Sequence, residues 1–219
     1  MDAAPGIAWT TSVVAFVAAV PLWRFTEHTI TIAHEGGHAL FGFLLGRSIK
    51  AIKLNSDKSG VTLSSGAGAI GLFISGLAGY LGPSIFGFAG AMMLVHDFAP
   101  RSVLLLSIAF LVGVLIMTRN IFGLFSVLAT GAVLWTVAMR SEPTVQMVFA
   151  YIWVWFLLMG GARQIPDLFR VIASGSTAND AAILQRQTHI GDVVWLFVFW
   201  LGSVAALVWG GTLLLRHTS

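Results

Sequence analysis

No cysteine occurs among the 219 residues. That excludes disulfides, thiolate metal sites, iron–sulfur clusters and a cysteine nucleophile. Charge is also scarce: charged side chains make up 10 % of the chain, where an average soluble domain carries about one quarter. Such a chain cannot cover a globular surface with polar groups, so a soluble enzyme is excluded. Disorder is excluded by the matching excess of apolar residues, 57 %, and by a mean hydropathy of +0.89. Acids are few. There are nine Asp plus Glu, and only Glu27, Glu35 and Glu142 are Glu. The net charge of +3 comes from single bases between apolar runs, without a Lys/Arg block. These read as membrane-flanking charges and not as a nucleic-acid site.

What the chain has instead is repeated apolar runs. Spans are expected at Ala8–Trp23, His28–Gly46, Ala67–His96, Ser102–Thr118, Asn120–Met139, Thr144–Gly160 and Val193–Leu215. A helix needs about 20 residues to cross the hydrocarbon, and the first and fourth runs are short, so six or seven crossings are expected. The fold class is thus an all-α polytopic membrane protein, with residues 1–219 as one integral membrane domain. Gly82–Pro83 lies inside the third run, where a kink or break is expected. Ser48 to Gly66 mixes Ile49, Ile52 and Leu54 with Lys50 and Lys53, then turns at Asn55-Ser56-Asp57. Despite imperfect alternation this reads as a short β-hairpin. Ala162 to Asp192 is the longest polar stretch, with a helix expected from Asn179 and Asn179 or Thr177 as its N-cap.

Counting bases sets the expected orientation. With seven spans the N-terminal side holds Arg47, Lys50, Lys53, Lys58, Arg119, Arg163, Arg170 and Arg186, and the other side Arg24, Arg101, Arg140 and Arg216. The positive-inside rule then makes the N-terminus, the hairpin and the long polar connection cytoplasmic in a multi-pass cell membrane protein. The first ten residues carry one acid and no base, unlike a cleavable signal peptide.

One motif carries chemistry. His34-Glu35-Gly36-Gly37-His38 matches H-E-x-x-H inside an otherwise apolar helix. Residues four apart on a helix share a face, so His34 and His38 can reach one metal ion. Glu35 lies about 100° round from His34, placed to serve a water and not to ligate. Chance gives this pattern in about 0.2 % of chains of this composition. Three idle ionisable groups inside a membrane helix are also costly, at about 2.5 kcal/mol or more each. The residues therefore indicate a zinc site with Glu35 as catalytic base. Phe41 and Leu44 stand where the long soluble metalloprotease signature needs Gly and His, which excludes that class. Glu142, the only downstream Glu, sits in a tight turn beside Pro143. The third ligand is then an Asp or a His, and the downstream Asp residues are Asp57, Asp97, Asp167, Asp180 and Asp192.

The segments IAHEGGHALFGFLLGR, SGVT, GLAGYLGPSIFG, TRNIFG and NDAAILQRQTHI together resemble the site-2 protease family of intramembrane zinc metalloproteases. The resemblance is to its small bacterial branch, which lacks a PDZ domain, and it covers most of the chain from Thr31 to Trp195. It implies His34 and His38 as Zn2+ ligands and Glu35 as catalytic base. The family's third ligand is an Asp in a Leu-Asp-Gly motif. No Leu-Asp-Gly occurs here, and Asn179-Asp180-Ala181 is its counterpart, which implies Asp180. The resemblance also implies that Asn120 lends hydrogen bonds to substrate or water. The implied partners are the lipid bilayer and a membrane-embedded or membrane-adjacent peptide, such as an anti-sigma factor or a signal-peptide remnant, in a bacterial plasma membrane. Two other readings use the same residues. One is a catalytically silent relative that binds membrane proteins; the other is a metal-binding transporter, although the matched halves of transporters are missing.

Overall fold

A computed structural model describes residues 5–57, 59–66 and 68–218. Lys58 of the base count, Ala67 of the third expected span and the first four residues lie outside the described part. The elements run α1 (Ile7–Ala19), α2 (Trp23–Leu44), β1 (Ser48–Leu54), β2 (Gly60–Ser65), α3 (Gly68–Val95), α4 (Pro100–Met117), α5 (Ile121–Arg140), α6 (Pro143–Arg163), α7 (Ile165–Ala173), α8 (Asp180–Thr188) and α9 (Asp192–His217). The protein is an α-helical membrane protein with one β-hairpin, as its sequence implies.

Five described helical segments are long and apolar enough to cross a membrane: α3, α4, α5, α6 with α7, and α9. The first two expected spans behave differently. α1 and α2 meet at a 98° bend across Val20–Leu22 and qualify only as a pair, which makes six at most. The cause is local. Thirteen residues of α1 rise only about 20 Å, Pro21 at the bend has no backbone donor, and α2 carries the polar motif. If each candidate helix crosses once, the connections α2–α3, α4–α5 and α6–α9 fall on one side, and counting α1 and α2 as one span changes only the side of the N-terminus.

α3 is the hub, packed against α2, α6 and α9. It is one helix through Pro83, so of the kink or break expected there the break does not occur. The proline removes one donor, from the carbonyl of Gly79, and burial along α3 offsets that single loss. The close approach of α2 to α3 rests on Gly37, because a Cβ there would overlap the Ala78 carbonyl. Small residues at such crossings let membrane helices pack by van der Waals contact. Gly37→Ala is therefore expected to cost about 1–3 kcal/mol. A lowered unfolding midpoint in detergent would show it, and an unchanged midpoint would mean that the helices part freely at this crossing.

The hairpin is antiparallel, from Ser48↔Ser65 to Leu54↔Gly60, with an irregularity between Ile49 and Ala51. That irregularity accounts for the imperfect alternation of the sequence, since an extra residue shifts the facing of those before it. The outer edge of β1 is sealed. Ile52 bridges to Thr118, Arg119 N donates to Ile52 O at 3.0 Å, and the side-chain amide of Asn120 pairs with Leu54. Among the described residues β2 pairs with β1 alone, in a two-stranded sheet.

A second, smaller apolar cluster docks the polar connection. Ile165 and Leu168 of α7 and Ala181 and Leu184 of α8 pack with Trp195 and Phe199 of α9, against Phe73, Leu77, Tyr80 and Leu81 of α3. Leu184 also reaches the bare backbone of Gly76. This packing carries the start of α8 to the middle of α3.

Candidate metal centre

His34 and His38 lie one turn apart on α2, and α8 brings Asp180 to them. The Nε2 atoms of the two histidines are 3.2 Å apart. Asp180 Oδ2 is 3.1 Å from His34 Nε2 and 3.1 Å from His38 Nε2. The three side chains are nearly buried, at 14 %, 12 % and 12 % exposure. Among the described residues they are the one group of His, Cys, Asp or Glu able to hold a metal ion.

The donor chemistry fits zinc. His38 Nδ1 lies 2.7 Å from the Ser75 carbonyl, which can only accept, so Nδ1 carries the proton and Nε2 presents a lone pair. Ser75 Oγ donates back to the carbonyl of His38 at 3.0 Å and ties α3 to the same turn. Burial opposes the Asp180 charge, but when the imidazoles of His38 and His34 carry a proton toward it they outweigh burial and hold the carboxyl well below the usual carboxylate range. Acceptors that converge at 3.1–3.2 Å repel one another unless a cation or protons lie between them. Tetrahedral zinc holds its ligands at about 2.0–2.1 Å, which spaces them by about 3.3 Å, close to what is seen.

Asp180 is the first residue of α8, where an acid can also serve the helix N-terminus. Asn179 takes the capping role: its side chain accepts from Ala182 N at 3.0 Å. The Asp180 carboxylate is thereby left to face the histidines. Asp167 goes elsewhere in the same cavity, accepting from Trp23 Nε1 at 3.0 Å and pairing with Arg163 and Arg170. Asp97 sits by His217, 3.9 Å away, and Asp192 opens α9. Glu142 precedes α6, away from this group.

Glu35 is outside the triad and lines the same cavity. It is 3 % exposed, and Thr62 Oγ1 donates to its Oε2 at 2.7 Å. Asn120 is not brought to the histidines. Its Nδ2 donates to Leu54 O at 2.5 Å and its Oδ1 accepts from Leu54 N at 3.1 Å, so it acts on the hairpin backbone.

Some neighbours were not singled out by sequence reasoning. Gly79 of α3 is one, because a Cβ there would overlap His38 Nε2 and crowd Asp180 Oδ2. Tyr80 meets His34 edge-on at 4.6 Å and stacks on Phe199 at 5.0 Å; a lone tyrosine in a glycine-rich span is the signal the sequence offers for it. Ser75 acts through a backbone carbonyl, which leaves no side-chain signature. A cavity of about 960 Å³ opens onto the cluster. β2 borders it with Gly60, Val61, Thr62 and Ser64, and α7 and α8 line another wall.

A family model described as Peptidase M50B-like matches residues 7–210. No curated protein and no solved structure matches the chain.

Proposed function

The chain belongs to the Peptidase M50B-like family, the site-2 protease family, and on that premise we propose that it is an intramembrane zinc metalloprotease. It would hydrolyse peptide bonds of membrane-embedded or membrane-adjacent substrates. The observation that carries this reading is the three-donor cluster of His34, His38 and Asp180, with Glu35 lining the same cavity.

His34 and His38 offer neutral imidazole nitrogens and Asp180 an anionic oxygen, which leaves one position of a tetrahedral ion open for chemistry. Zinc, when bound there, supplies Lewis acidity towards water and towards the scissile carbonyl. Glu35 accepts the proton of the attacking water and delivers it to the leaving amine as the C–N bond breaks. The substrate enters the cavity extended, since a helix hides its peptide bonds in its own hydrogen bonds. The open edge of β2 suits an extended chain, which can add to it as a strand. Asn120 contributes to substrate positioning by pinning the strand next to it. The base-rich connections favour a cytoplasmic hairpin, and the resemblance to the small bacterial branch of the family favours a bacterial plasma membrane.

The test is metal removal. Cleavage of a membrane reporter by the purified protein is expected to stop on chelation and to return with stoichiometric zinc. Cleavage that survives complete zinc removal would overturn the mechanism. Stoichiometric zinc without any cleavage would favour the silent relative.

A further inference from the structure

β2 does more than border the cavity. Gly60 and Thr62 are two residues apart on a strand and so face the same way. That face meets Glu35. Thr62 Oγ1 lies 2.7 Å from Glu35 Oε2 and 3.0 Å from the Glu35 backbone carbonyl. A hydroxyl has one proton, and a carboxylate is the stronger acceptor. On the other side of the carboxylate, a Cβ at Gly60 would stand 2.5 Å from both Cγ and Oε1 of Glu35. The hydroxyl therefore holds one oxygen, and the missing side chain leaves room for the other. The hairpin is fixed enough for this, since β1 is tied at Ile52 and Leu54 to residues 118–120.

Resting on the reading of Glu35 as base, we infer that Thr62 is a positioning residue for it, its hydroxyl fixing Oε2 so that Oε1 is left to take the proton, with Gly60 keeping the space Oε1 needs. The strand that borders the substrate cavity is then also the strand that sets the base. A motif that resemblance alone had singled out, Ser59-Gly60-Val61-Thr62, acquires a physical role.

The experiment compares wild type, Thr62→Val, Thr62→Ser and Gly60→Ala as purified full chains, with zinc content measured for each. Valine keeps the shape and β-branching of threonine and removes only the hydroxyl. Thr62→Val is expected to lose about 10-fold or more in kcat, with KM and zinc content unchanged, because a hydrogen bond to a charged group is removed. Thr62→Ser should recover most of the loss. Gly60→Ala should lower kcat with zinc retained. A second readout needs no turnover. In zinc-free protein, amide exchange across residues 60–65 should rise in Thr62→Val and stay near wild type in Thr62→Ser. Wild-type kcat and exchange in Thr62→Val would overturn the inference, as would an equal loss in Thr62→Ser, which would assign Thr62 to packing. A wild type that binds zinc and cleaves nothing would sink the protease reading instead. The exchange comparison would still decide whether Thr62 holds Glu35.

Discussion

Glu35→Gln is expected to lower the cleavage rate by about 10²–10⁴-fold, the usual contribution of a general base, and to leave zinc content at the wild-type level. The two halves of this expectation have separate grounds. The rate falls because an amide cannot take a proton from water, although it fills the same space. Zinc stays because the three converging atoms belong to His34, His38 and Asp180, and Glu35 is not among them. Folding should survive as well. The Gln carbonyl oxygen can accept the Thr62 hydroxyl in place of Oε2, so the hairpin keeps its contact with α2. Cleavage of a membrane reporter and zinc per chain, measured on one preparation, check both halves. Unchanged cleavage would remove Glu35 from the mechanism. Loss of zinc together with cleavage would show that Glu35 supports the metal site and would leave the base unassigned.

Much of this centre was legible in local sequence. His34 and His38 meet because a helix repeats its face every turn, and nothing tertiary is needed to bring them together. The hairpin was legible for a similar reason, its turn residues falling between two apolar stretches; Ser48–Leu54 and Gly60–Ser65 lie inside the expected segment. The cap of α8 followed from Asn179 standing before a helical run. Other features depend on contacts far apart in the chain. Asp180 reaches His38 across 142 positions, and the packing that carries it there joins α3, α7, α8 and α9. No periodicity in any one segment encodes that meeting. Position relative to a known family selected Asp180 from five Asp residues, and the geometry supplies the physical reason. The pairing of Asn120 with Leu54 was equally hidden, because one amide can serve a substrate or a neighbouring strand and its sequence context is the same in both cases. The bend between α1 and α2 shows the opposite limit: hydropathy counted two spans, while helix length and Pro21 decided how the pair is built.

The second large effect is expected at Asp180. Asp180→Ala should weaken zinc binding by at least about 100-fold, since loss of even an outer-shell partner of a metal ligand costs about 10–100-fold. The metal would be left with two imidazoles and no protein anion. Cleavage should fall with occupancy and return only in part at high zinc, because two ligands no longer fix the open position. Asp180→Asn gives the needed contrast. It keeps the shape of the side chain and an oxygen donor but loses the charge, so its affinity should lie between the other two. The charge matters here because the three side chains are largely buried, and a divalent ion held among them requires an anionic partner. Gly79→Ala reaches the same centre from the opposite wall. Its Cβ would overlap His38 Nε2, so zinc should be lost with all three ligands still present in the chain. Competition titrations with a chromophoric chelator would rank the variants as wild type, Asn, then Ala at position 180. Full wild-type affinity in Asp180→Ala would show that a different group completes the site. Wild-type affinity in Gly79→Ala with weakened binding in Asp180→Ala would mean that α3 yields where it now presses on the histidine. The ligand assignment would stand in that case, and the rigidity ascribed to α3 would not.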